Sequence, residues 1–146
     1  MKISAKTRYA MAALIQMGQN NILEEPVTIM SLSEKLGLSK IYLEQVFSLL
    51  KHGGVVKSIK GARGGYQITR PMNEITVYDV FFAIEHSLFQ PTDTTVEENA
   101  FNIENVLQKN IYAKLDATIS NMLKQITLDI LLNKAMQQSG VEMYYI

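Results

Sequence analysis

Apolar residues recur along this chain with helical spacing almost throughout, broken once by a short hairpin-like stretch. From about Ala5 to Gln19, residues Ala10, Ala13, Leu14 and Met17 fall at the i, i+3, i+4, i+7 spacing of one buried stripe, and Asn20-Asn21 reads as the stop. After Pro26, Ile29, Leu32 and Leu36 share a face. Gly37 follows, the residue type that tolerates the left-handed backbone at a helix C-terminus. Ser39 is placed to cap a further helix that sets Leu43, Val46, Phe47 and Leu50 on one stripe and stops at Gly53-Gly54. Two amphipathic helices joined by so short a turn predict a helix-turn-helix. Residues 55–60 and 66–69 then read as two strands around Gly61-Ala62-Arg63-Gly64-Gly65, a tip rich in residues that accept positive φ. A hairpin in that place is a wing, and Pro71 closes the module.

Beyond it, Thr76 is a candidate cap for a helix bearing Val77, Val80, Phe81 and Ile84, with Asp79 in the first turn where its charge suits the macrodipole. From Gln90 to Glu104 the chain is polar and acidic, and Thr95 with Glu98 has capping-box spacing. A long helix to about Gln125 places Ile111, Leu115, Ile119, Met122 and Ile126 at steps of four, four, three and four, the seam of a helix that pairs with its own copy. Thr127 and Asp129 restart a short helix from Leu128 to Met136, ahead of a tail from Gly140 to Ile146. The expected fold is mainly α with a small β-wing. Residues 1–72 form a winged helix-turn-helix, and residues 73–146 hold a linking helix, a dimerisation helix and the tail.

Charge sharpens this picture. Residues 1–70 hold ten of the fourteen Lys and Arg and four of the fourteen acids, a balance of +6, and the rest of the chain carries −6. Such segregation suits a polyanion-binding module joined to a part that must avoid the polyanion. Between Lys51 and Arg70 there are five basic residues and no acid, so the wing presents a nearly unopposed positive surface. With 146 residues and 47% hydrophobic content the chain builds a real core.

The inventory for other chemistry is thin. The absence of cysteine excludes disulfides, thiolate zinc sites, clusters held by the chain's own thiols and cysteine nucleophiles. His52 and His86 are the only histidines, and the acids Glu24-Glu25 and Glu97-Glu98 are neighbours whose side chains diverge. No enzyme, cofactor or dedicated metal site is expected. The glycine-rich tip matches neither GxxxxGK[ST] nor GxGxxG. No signal-peptide pattern or bilayer-length apolar run is present, so the expected location is the cytoplasm, away from membranes.

Candidate DNA-reading residues lie opposite the stripe of the second helix of the pair. Ile41, Gln45, Ser48 and His52 face outward there, with Tyr42 and Glu44 on the flanks. Gln pairs bidentately with adenine, Glu accepts from cytosine, and Tyr and Ser reach phosphates or base edges. Ser39, Lys40, Lys57, Lys2 and Arg8 extend the set. At the wing tip Lys60 and Arg63 suit either a narrow minor groove or phosphates alone.

The opening Met1-Lys2-Ile3-Ser4 with Arg8-Tyr9-Ala10, the segment from Leu38 to Phe47 containing Tyr42-Leu43-Glu44-Gln45, and the segment from Lys57 to Tyr66 ending Gly64-Gly65-Tyr66 resemble the Rrf-type family of bacterial winged-helix repressors, which includes IscR, NsrR and CymR. The resemblance runs in order over nearly the whole chain. It implies a homodimer crossed through the long helix, Tyr42, Glu44 and Gln45 in the major groove, and the wing in the minor groove. Lys60 stands where the family commonly has arginine, which shifts the minor-groove role toward Arg63. The iron-sulfur members carry three cysteines between the fourth helix and the dimer helix, and this chain has none from Ser87 to Lys109. Cysteine-poor members include CymR-like repressors of cysteine and sulfur metabolism, which act in complex with cysteine synthase. Their ends are similar to Tyr144-Tyr145-Ile146, and cysteine synthase captures the terminal isoleucine carboxylate of another partner. The resemblance therefore implies cysteine synthase as a partner through the tail. The alternatives are a tail that packs on the dimer or frays, and control by a small effector in another pathway.

Overall fold

The computed structural model describes residues 1–20 and 25–145, with the side chains of all of these except 20 and 140–145. Helix α1 (Ala5–Asn20) buries Ala10, Ala13, Leu14 and Met17, the four residues of its sequence stripe. Helix α2 (Ile29–Leu36) starts at Thr28, whose hydroxyl accepts from the Ser31 amide, and ends at Gly37 with φ 66°. Helix α3 (Lys40–His52) is capped by Ser39, which accepts from the Tyr42 amide at 3.3 Å, and buries Leu43, Val46, Phe47 and Leu50. The Gly37 and Ser39 caps are local chemistry at the predicted positions, and the Thr28 cap is not among those expected from the sequence.

Strands β1 (Val56–Ile59) and β2 (Gly65–Ile68) pair antiparallel with Val56 opposite Ile68 and Ile59 opposite Gly65. The wing has one more participant than the sequence pattern suggests. Val27, just ahead of α2, exchanges two backbone hydrogen bonds with Tyr66, at 2.9 and 2.8 Å. Gly65 makes room for it: its φ is 151°, and a Cβ there would stand 2.6 Å from the Val27 carbonyl oxygen.

Helix α4 (Val77–Glu85) begins with a full capping box, in which Thr76 accepts from the Asp79 amide and Asp79 accepts from the Thr76 amide. Asp79 also takes Arg70 at 3.1 Å. A 3-10 turn (His86–Phe89) and a polar segment lead to a continuous helical rod made of α5 (Phe101–Leu107), a π turn (Gln108–Tyr112) and α6 (Ala113–Lys124). The expected capping box at Thr95 and Glu98 is corrected here. The helix starts only at Phe101, behind Ala100, which makes no side-chain cap. Glu104 instead reaches back one turn and accepts from the Thr95 and Val96 amides at 3.1 and 3.2 Å, as side chains tilted toward a helix N-terminus do.

Helix α7 runs Leu128–Tyr145, so the short helix expected to end at Met136 continues through residues read as a tail. Its start is stitched to the front of α4: the Val77 amide donates to the Ile126 carbonyl at 2.8 Å and the Leu128 amide to the Ile75 carbonyl at 2.9 Å, on either side of a Thr76–Thr127 bridge. Leu128, Ile75 and Val80 are fully buried in the same core as Leu14, Phe47 and Val56. No helix among the described residues is long and apolar enough to cross a membrane.

Candidate nucleic-acid interface

The outer face of α3 is open. Ile41 is 71% exposed, and Glu44, Gln45, Ser48 and His52 are exposed with it, while Leu43, Val46, Phe47 and Leu50 hold the opposite side in the core. Packing of one stripe thus aims the other at solvent. Tyr42 is half-buried, its ring meeting Tyr9 of α1 edge-on at 4.8 Å. Ser39 spends its hydroxyl on the Tyr42 amide, so its first role is to start the helix. Lys40 is exposed beside it.

Lys6, at the front of α1, joins Ile41, Glu44, Gln45, Ser48 and Leu49 around one shallow surface depression. Lys2 and Arg8 are the cations expected from the sequence in this segment, and Lys6 is not among them. Only the placement of α1 across α3 reveals which lysine of the first turn lies beside the reading face. Lys2 and Arg8 are exposed.

On the wing, Lys57, Lys60 and Arg63 are all exposed. The tip turns at Gly61, φ 109°, where the Gly64 amide donates to the Gly61 carbonyl at 3.0 Å. Lys57 borders a second recess at the wing base with Gln67, Thr69 and Arg70. Among the described residues the one ion pair within 4 Å is Arg70–Asp79, so the cations of α1, α3 and the wing tip have no carboxylate neutralising them at that range. Such a surface attracts phosphates.

The five-residue seam of the long helix divides. Ile119 and Ile126 pack with Val77, Phe81 and Leu123, whereas Ile111, Leu115 and Met122 are exposed. The stripe is wide enough on the helix surface for one edge to face α4 and the other to face outward. The outward edge borders an apolar cavity of about 250 Å³ between the N-terminus, Phe81, Leu88, Phe89 and Ile119. The tail residues Tyr144, Tyr145 and Ile146 lie outside the described side chains.

The signature of the Rrf2 family, described as "Iron-dependent Transcriptional regulator", matches residues 3–134. The HTH-type transcriptional regulator IscR of Pectobacterium carotovorum is 35% identical over 133 residues, which cover 91% of this chain and 80% of that protein. Among solved structures, T. potens IscR superposes with a TM-score of 0.70 at 33% identity, over 92% of this chain and 88% of that one. CymR, the global cysteine regulator of B. subtilis, superposes at 0.74 with 28% identity, over 92% and 98%. These relatives are regulators rather than enzymes.

The described residues do not fit an iron centre of the kind the family description suggests. The chain has no cysteine, and among the described residues no three His, Asp or Glu side chains gather where they would hold a metal. What the winged fold, the open α3 face, the cationic wing and the match over residues 3–134 do establish together is that this chain belongs to the Rrf2 family of DNA-binding transcriptional regulators.

Proposed function

We propose that the chain acts as a homodimeric repressor, residues 1–72 binding duplex DNA and residues 73–146 joining the two copies. The observation that carries this reading is the open α3 face, Glu44, Gln45 and Ser48, with Lys6 beside it, in a fold whose wing carries the exposed cations Lys57, Lys60 and Arg63. Helix α3 enters the major groove, where Gln45 suits an adenine edge and Glu44 a cytosine amino group. Tyr42, Ser39 and Lys40 border that contact. Arg63 and Lys60 lie along the adjacent minor groove or its phosphates, and Lys57, Lys2 and Arg8 add backbone contacts. The exposed edge of the long helix, Ile111, Leu115 and Met122, is the strip a second copy covers, with Ile119 and Ile126 at its margin.

The regulated genes we assign to cysteine and sulfur metabolism, without an iron-sulfur cluster. Support comes from the cysteine-free sequence and from the similarity to CymR along 98% of that chain. Cysteine synthase is the proposed co-regulator, capturing Tyr144, Tyr145 and the Ile146 carboxylate. A second reading has its own support: α7 extends to Tyr145, and the apolar cavity has room for a small effector, which suits a structural tail and control in another pathway.

Affinity for a duplex falls by about 0.9 log unit per log of salt for each phosphate neutralised, so a flat salt response would sink the DNA-binding reading. Gln45→Ala should relax base discrimination while Lys57→Ala weakens all sequences alike. For the partner, a labelled peptide of residues 137–146 is titrated into cysteine synthase beside the same peptide lacking Ile146. Binding that requires Ile146 supports the assignment, and no binding by either peptide favours the second reading.

A further inference from the structure

Helix α1 has no acidic residue in its first turn, although a helix N-terminus favours negative charge. Glu85, at the last turn of α4, supplies one from across the fold. Its Oε1 accepts from the hydroxyls of both Ser4 and Thr7. Ser4 Oγ in turn accepts from the Thr7 amide at 3.2 Å, closing the first turn of α1. Thr7 is 0% exposed, so its hydroxyl must find its partner inside the protein. A carboxylate at the C-terminal end of α4 opposes that helix's own dipole, so α1 is what makes the position favourable. The Ser4 hydroxyl and then the Thr7 hydroxyl hold the Glu85 carboxyl below its usual range. The turn clamped in this way is the one that carries Lys6 to the edge of the α3 face.

From this geometry we infer that Glu85 is a positioning residue for DNA binding: through Ser4 and Thr7 it fixes the first turn of α1, and so fixes where Lys6 meets the phosphate backbone beside α3. The inference rests on the reading of α3 as the DNA-facing helix. Its sign separates it from simple electrostatics. Deleting an acid near a polyanion-binding surface strengthens binding if charge alone matters. Losing the clamp weakens it.

The test measures binding of the full-length protein to one fixed fluorescent duplex across a sodium chloride series, with thermal melts of each variant alongside. Glu85→Ala and Thr7→Val should each weaken binding and flatten the salt slope by about one phosphate, roughly 0.9 log unit per log of salt, as Lys6→Ala does. Adding Lys6→Ala to Glu85→Ala should change the slope no further, because both remove the same contact. Thr7→Ser should restore the slope, and Glu85→Gln, which keeps an acceptor oxygen, should retain most of it. An unchanged slope, tighter binding by Glu85→Ala, or additivity with Lys6→Ala overturns the proposal. Should Glu85→Ala melt below the assay temperature, Thr7→Val and Thr7→Ser decide by the same criteria. A flat response of the unaltered protein overturns the α3 reading itself and this inference with it, which is a different result from a steep response that Glu85 leaves untouched.

Discussion

Tyr9 and Tyr42 meet edge-on, ring centroids 4.8 Å apart and planes at 77°, and this pair fastens helix α3 to α1. Edge-to-face rings contribute about 0.5–1.5 kcal/mol beyond the area they cover. Tyr42→Ala should cost about 2 kcal/mol and lower Tm by roughly 4–8 °C, whereas Tyr42→Phe should melt near the parent. Calorimetry of the two variants checks the packing. Any loss of DNA affinity that Tyr42→Phe shows then belongs to the hydroxyl.

Gly65 combines positive φ with the close approach of Val27. Gly65→Ala should cost about 1–3 kcal/mol, since the backbone has to leave its conformation and the added Cβ pushes Val27 away from Tyr66. The amide of Val27 should lose its protection from hydrogen exchange. Retained protection would show that the third strand position does not depend on that glycine.

Glu104 is 3% exposed and holds the Thr95 and Val96 amides. Burial opposes its ionisation, but the Val96 amide, the Gln108 side chain and the Thr95 amide outweigh it and hold the carboxyl below the usual carboxylate range. A carboxyl whose pKa is lower in the folded state stabilises the fold above its unfolded value and stops doing so as pH falls through the folded one. Protection of both amides should therefore hold at neutral pH and decline below about 4.5, the ordinary value. In Glu104→Gln that decline should disappear. Persistence of the pH dependence in the variant would assign it to another group.

Leu115 is 55% exposed on the single chain, so Leu115→Arg should leave the protomer's fold intact. Placed at the proposed dimer contact, an unpaired charge costs about 3 kcal/mol or more, over a hundredfold in association. Sedimentation should show monomer with native helicity. An unchanged dimer would move the interface away from this edge of the rod.

What was readable in the sequence was local. Gly37, Ser39 and Thr76 announce helix ends because capping is chemistry within four residues, and α3's stripe of Leu43, Val46, Phe47 and Leu50 implies its open face by default. What escaped spans the chain. The Val27–Tyr66 pair, the Ser4–Thr7–Glu85 contact and the place of Lys6 beside α3 depend on how elements meet, which no periodicity encodes. At Thr95 and Glu98 the spacing matched a cap that the fold does not use, because a turn separates them from the helix and Glu104 already occupies the Thr95 amide, along with that of Val96. Ile119 shows a related limit: its stripe is apolar, but the same stripe serves α4 on one side and open surface on the other.

The burial of Leu128 among residues of α1, α3 and the wing makes α7 a keystone rather than an appendage. A chain ending after α6 would not be a smaller DNA-binding unit with its regulatory end removed. It would carry a leucine-sized hole in the body that holds α3, a defect of about 2.7–5 kcal/mol in a comparable buried site. Premature stop codons between Lys124 and Leu128 should therefore act as losses of the whole regulator, not as releases from its control.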